Sequence, residues 1–370
     1  MNLKSLLISF SIFALFYSCK GTHKGQILQE KPFFVKNNYA LNLNTSTSDS
    51  IEFYYSGCSG FYIKYQNEGI MTDVFLSNIG PVAEVAVKKL KSDTALIDGY
   101  FQKILRTNTD KNGGIKALLA THTHYDHVLD FPYIYQRKLN PDSLIIVGSA
   151  GVKNLLIASE THYGKKINQK NIISIDSSNA SDAINLRKWV YSKNKKFRML
   201  PIISEHAPHF YGIKLYKGSI EKNIKDIPTK AGDYKEGQSL SYLIDVLGEN
   251  QKVVFRIFIQ GSSSTPPMGF PPTEVLKEKP VDVAILCVAS FQYVHQYPEG
   301  IVNKLKPKLL ILSHWENFFQ PHKTLEKTVL TVPFTNINLF LERLDCELKK
   351  QDIKSKYIMP NIFTSMKVKF

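Results

Sequence analysis

Between residues 121 and 130 the chain reads THTHYDHVLD, which puts three of its ten histidines and an aspartate into one short run. A neutral imidazole offers a metal one lone pair, and a carboxylate offers one or two. A divalent zinc takes about four such ligands at roughly 2.0–2.2 Å. His122 and His124 are two residues apart, so in an extended segment they point the same way and suit one ion. Asp126 and His127 follow where the chain turns and can serve a second ion beside the first. Each pair still needs a partner from elsewhere. His206 in SEHAPH and His314 in LSHWENF, each directly after an apolar run, are the candidates. His23, His162 and His322 stand outside such contexts.

Five apolar runs are positioned to carry these groups. GIM at 69–71 leads into Thr72 and Asp73, and IKALLA at 115–120 leads into the histidine cluster. FRMLPII at 197–203 precedes Ser204, Glu205 and His206. VVFRIFI at 253–259 precedes QGSSS, and KLLILS at 308–313 precedes His314. Each reads as a buried strand with polar chemistry at its carboxyl end, which on an α/β scaffold brings the loops to one rim. Ile337, Leu341, Leu344 and Leu348 recur at helical spacing, predicting an amphipathic helix over 335–350. Residues 168–196 and 216–237 are polar and irregular and read as insertions that could roof a site.

The chain has 370 residues and a formal charge of +15, from 47 Lys and Arg against 32 Asp and Glu. Its basic residues are scattered, with KNKK at 193–196 the densest run, so no nucleic-acid stripe is expected. Lys4 followed by the apolar stretch Leu6–Tyr17 reads as a signal peptide over 1–18. FYSC resembles a bacterial lipobox, with Cys19 as the lipidated residue, although Phe16 and Tyr17 are bulky for that motif. Ordinary secretion and an uncleaved anchor are the alternatives. Residues 19–49 are expected to be a tether and 50–370 a single domain, facing the periplasm from a membrane. With Cys19 lipidated, Cys58, Cys287 and Cys346 remain, enough for one disulfide.

THTHYDH, MTDVFLS, SEHAPHF and LSHWENF together resemble the motifs of the metallo-β-lactamase superfamily, over about residues 50–320. The lactonase-like and phospholipase D-like hydrolases are the branches it most resembles. The resemblance implies a four-layer αββα sandwich with two divalent ions at one edge. Zinc is favoured, with manganese or iron as alternatives. It implies ligands His122, His124 and His206 for one ion and Asp126, His127 and His314 for the other, with Asp73 as a buried organiser. Most members place a bridging aspartate after a glycine in the fourth motif, where this chain has Ser262. With serine there, the second ion is expected still to be held by Asp126, His127 and His314 with a bridging hydroxide, a weak second site beside one firm metal being the alternative.

The expected chemistry is hydrolysis of an ester, lactone or phosphodiester outside the cytoplasm, on a small-molecule or lipid-like substrate. Bound ions lower the pKa of water from 15.7 to about 7. Asp126 is expected to orient the nucleophile. His209 and His295 are candidate proton donors, as is Tyr125, while Trp315, Phe318 and Phe319 are candidates to wall the cleft. A β-lactamase and a non-catalytic metal-binding lipoprotein are the competing readings.

Overall fold

The structure is a computed structural model that describes residues 25–28, 31–43, 49–105, 114–176, 188–209 and 211–370. The expected signal peptide, Lys4 and Cys19 lie outside the described residues.

Two eight-stranded sheets make up its centre. The first runs β2 (Asn38–Asn42), β16 (Ser365–Lys369), β3 (Ser50–Gly57), β4 (Gly60–Tyr65), β5 (Glu68–Thr72), β6 (Ile115–Leu119), β7 (Ile145–Gly148) and β8 (Ile172–Ser174). The second runs β1 (Phe34–Val35), β15 (Lys356–Pro360), β14 (Leu309–Ser313), β13 (Val283–Cys287), β12 (Val253–Gln260), β11 (Leu240–Leu247), β10 (Phe197–Ile203) and β9 (Val190–Tyr191).

Alternation along the strands assigns each side chain to a layer. In β11, Leu240, Tyr242, Ile244 and Val246 enter the core between the sheets, whereas Leu243 faces outward. In β13, Val283 and Ile285 point inward, and Ala284 and Leu286 pack beneath helices. Both faces are therefore apolar, as expected of sheets covered on both sides. The helices Thr94–Leu105 and Ala150–Tyr163 cover the first sheet through Ile97, Phe101, Leu155 and Leu156. The helices Glu299–Leu305 and Ile337–Lys350 cover the second through Ile301, Val302, Phe340 and Leu344. The architecture is the expected four-layer αββα sandwich. The helix expected over 335–350 begins after Asn336, whose side chain accepts the Leu339 amide as an N-cap.

One ion-pair cluster is buried beneath the outer helices. Asp245 is fully buried and accepts Arg256 Nε at 2.5 Å and Nη2 at 2.8 Å, with Arg198 also at 2.8 Å.

The expected tether is corrected by these strands. β1 and β2 are edge strands of opposite sheets, and Gln26 and Leu28 bond to Thr331 and Val329. The folded unit therefore includes residues well before 50. So short a stretch still pairs because the sheet edge supplies its backbone partners, while Val35, Tyr39 and Leu41 join the core between the sheets. Cys58, Cys287 and Cys346 are all free thiols, so the possible disulfide is not formed. Among the described residues no helix is long and apolar enough to cross a membrane.

Candidate metal centre

β5 and β6 are parallel, and β10, β12, β13 and β14 share one direction, because β11 is antiparallel to both its neighbours. Their carboxyl ends deliver Asp73, His122, His206, Ser262 and His314 to one rim. The segment after β6 is laced down by the Thr121 carbonyl, which accepts the Leu240 amide at 2.7 Å, and by the Thr123 amide, which donates to Glu236 at 2.9 Å. His122 and His124 are thereby held on the same side of the extended segment that follows β6.

A ring nitrogen from each of His122, His124 and His206 lies within 4.8 Å of the others. Their rings meet nearly edge to face, with centroids 4.6–4.8 Å apart. Each ring is oriented through its far nitrogen or its backbone. His122 Nδ1 lies 3.3 Å from the Thr121 hydroxyl, which itself donates to Asp73 Oδ2 at 2.5 Å. The His124 ring bonds to the backbone of Tyr216. His206 Nδ1 lies 2.5 Å from the Ala207 carbonyl. The Nε2 atoms of His122 and His124 are buried without any hydrogen-bond partner. An orphaned buried nitrogen is costly unless something completes it, and neutral imidazoles with a tethered Nδ1 are what a cation needs. Burial, then the neighbouring imidazoles, holds His122 and His206 well below the usual histidine range. Burial and His209 take His124 down to about 3. These three residues fit a divalent ion.

A second group lies beside it. His314 Nε2 is 3.4 Å from Asp126 Oδ2, and Cys58 Sγ joins them within 4.8 Å. Burial raises the pKa of Asp126, but His127, His314 and His124 more than offset it, so the carboxylate stays ionised. His127 lies at the junction, its ring 3.8 Å from that of His122 and 5.4 Å from that of His314. Its Nε2 is 3.9 Å from Asp126 Oδ2, and its Nδ1 is 3.0 Å from Asp73. Asp73 is fully buried and also accepts the Thr121 amide at 2.7 Å, so one carboxylate braces both His122 and His127.

The other expected residues divide. His209 stacks on His206 with centroids 4.8 Å apart and lies 5.2 Å from His124. Its Nδ1 accepts the Leu215 amide, which places the ring proton on Nε2. His295 is exposed, and no hydrogen bond, ion pair or ring contact ties it to the cluster, so its expected role is corrected. It follows the short helix Phe291–Tyr293, and the turn carries its side chain outward. Ser262 is buried, but its hydroxyl accepts the Ala207 amide at 3.1 Å and so steadies the His206 loop. Gly261 beside it is required by space, since a Cβ there would lie 2.1 Å from Thr121 Oγ1. Phe318 packs edge-on against His314 and tilts against Phe319. Trp315 belongs to the core beneath the helices, where its Nε1 donates to Pro360. Tyr125 is buried in the opposite core. From the 211–237 segment, Tyr216 packs against both His124 and His209.

Cys58 and Thr121 were not anticipated. Thr121 adjoins the histidine run and is legible only once Asp73 is known to face it. Cys58 sits in a hairpin turn with no ligand spacing around it.

No model of a known protein family matches the sequence, and no curated protein matches it. Among solved structures the chain is similar to Igni18, a metallo hydrolase from the archaeon Ignicoccus hospitalis, at 12% identity and a TM-score of 0.46. That match covers 87% of this chain and 99% of the other. An isothiocyanate hydrolase from Delia radicum gut bacteria aligns at 12% identity and a TM-score of 0.47, covering 85% of this chain and 98% of the other. A possible metal-dependent hydrolase from Veillonella parvula aligns at 13% and 0.46, again over 85% and 98%.

Proposed function

We propose that this chain is a metal-dependent hydrolase with two adjacent cation positions, acting on an ester, lactone or phosphodiester. The observation that carries this reading is the set of buried, partnerless Nε2 atoms of His122 and His124 facing His206, beside the ionised Asp126. His122, His124 and His206 would hold one ion, and Asp126 and His314, with His127 beside them, the other. Bound there, divalent ions would polarise the reacting carbonyl or phosphoryl oxygen and make water nucleophilic near neutral pH.

The chain's own groups supply the rest. Asp126 remains an acceptor able to orient an attacking water. His209 presents Nε2–H at the edge of the cluster, with its tautomer set by Leu215, and is the group placed to give a proton to a leaving oxygen. Burial takes its pKa down to about 4, so it is a neutral donor at pH 7. Phe318, packed edge-on against His314, would shield that side from water. Lys214 and Lys217 line a groove in which Asp176 and Glu236 balance their charge, next to the Glu236 carbonyl that anchors Thr123. The +15 charge of the chain favours an anionic substrate such as a phosphodiester. Lys4, the apolar run and Cys19 support export and lipid anchoring of this hydrolase.

Metal content of the purified full chain, with hydrolysis of chromogenic phosphodiesters, lactones and a cephalosporin, tests the proposal. We expect two ions per chain and hydrolysis that disappears in the Asp126→Ala, His206→Ala double variant. Undiminished hydrolysis by that variant would overturn the reading.

A further inference from the structure

Cys58 occupies the tight turn Gly57–Gly60 between β3 and β4. β3 runs parallel to β5, since β4 is antiparallel to both, so its carboxyl end reaches the same rim as Asp73. The turn is held from across the molecule. The Cys58 amide donates to Glu316 Oε1, and the Cys58 carbonyl accepts the His314 amide at 2.6 Å. Tyr55 Oη lies 2.5 Å from Glu316 Oε2 and 2.8 Å from the Cys58 carbonyl. Cys58 and His314 both have left-handed backbones, with φ of 52° and 56°. Side chains rarely adopt that conformation unless the surroundings impose it.

A buried free thiol is ordinarily just a small hydrophobe. Cys58 differs in its company. Its Sγ lies with the Asp126 carboxylate and a His314 ring nitrogen inside 4.8 Å. His314 is 6% exposed, and its Nδ1 has no hydrogen-bond partner. The 3.4 Å between Asp126 Oδ2 and His314 Nε2 already matches two ligands on one tetrahedral ion, which at usual bond lengths lie about 3.4–3.7 Å apart. Three imidazoles bring the first position no anion, and the Ser262 hydroxyl, committed to Ala207, brings the second none. Asp126 alone supplies one negative charge there, and a thiolate supplies another.

We infer that Cys58 Sγ is a ligand of the second ion, alongside Asp126 and His314. The inference rests on the two-position metal centre proposed above. The two positions are then unlike: three imidazoles in one, thiolate, carboxylate and imidazole in the other. Ligation forms a metal–sulfur bond and releases the thiol proton to solvent, with no change of oxidation state. A soft thiolate biases that position toward zinc or iron over manganese.

Cobalt(II) loading of the metal-free full chain tests this by spectrum rather than turnover. We expect two ions per chain and a near-ultraviolet thiolate-to-cobalt charge-transfer band. Cys58→Ser should abolish the band and weaken one binding step while keeping the visible bands of the imidazole site, which also report that the variant folds. The Cys287→Ser, Cys346→Ser double variant should keep the charge-transfer band. On the unmutated chain loaded with zinc, X-ray absorption should find one sulfur ligand per two zincs. Two bound ions with neither the band nor sulfur would overturn the role of Cys58 and leave the metal-centre reading intact. Failure of the unmutated chain to bind any ion would overturn both.

Discussion

Thr121→Val probes how the first cation position is organised. The Thr121 hydroxyl donates to Asp73 Oδ2 at 2.5 Å and stands 3.3 Å from His122 Nδ1, so it links a buried carboxylate to a ligand. Valine keeps the branched shape and removes both contacts. Asp73 retains the Thr121 amide at 2.7 Å and His127 at 3.0 Å, so the carboxylate itself stays anchored. The loss therefore falls on the orientation and basicity of His122. Removing a partner of this kind costs about 10–100-fold in metal affinity, or about 1.4–2.8 kcal/mol. It also leaves a buried ring N–H unpaired, which costs roughly 1–3 kcal/mol of stability. Competition between the full chain and a chromophoric chelator for zinc measures the first effect, with the binding step lost in His206→Ala marking the first position. Thr121→Ser restores the hydroxyl and should recover most of the affinity. Unchanged affinity of Thr121→Val at that step would refute the reasoning.

Two further predictions concern stability. His124 at about 3 and His209 at about 4, with His122 and His206 also lowered, bind protons less readily folded than unfolded. In the unfolded chain they titrate near 6.5. Burial lowers the pKa of His127 too, but Asp73 and Asp126 raise it overall, so it offsets one of them. Below pH 6.5 the unfolded state takes up more protons, and the melting temperature of the metal-free chain should fall as pH drops toward about 4; a flat profile would contradict these assignments. Asp245→Ala strands the buried Arg256 guanidinium and should cost about 3–5 kcal/mol in urea unfolding, whereas a loss below about 1 kcal/mol would show that the cluster is not supporting the fold.

Much of the centre is legible in the sequence because its residues follow strong apolar runs. A buried strand ends where its backbone partners end, so Asp73, His206 and His314 could be assigned to a rim before any contact was known. The THTHYDH run carries its own spacing. What escaped has a different physical origin. Cys58 reaches the rim through the direction of β3, which only the pairing of β3, β4 and β5 reveals. Edge strands β1 and β2 are too short to announce themselves, and their partners lie more than 300 residues away. The orientation of Ser262 depends on the Ala207 amide, a contact no local pattern encodes. His295 had only its residue type to suggest a role.

The placement of β16 between β2 and β3 has consequences for assembly of the molecule. Residues 365–369 hydrogen-bond along the whole of residues 50–54, so that flank of the first sheet stays open until the downstream segment has left the ribosome. Loop closure over such a separation is entropically slow. The hairpin bearing Cys58 thus pairs locally with β5 early and gains its outer neighbour only when residues 365–369 arrive.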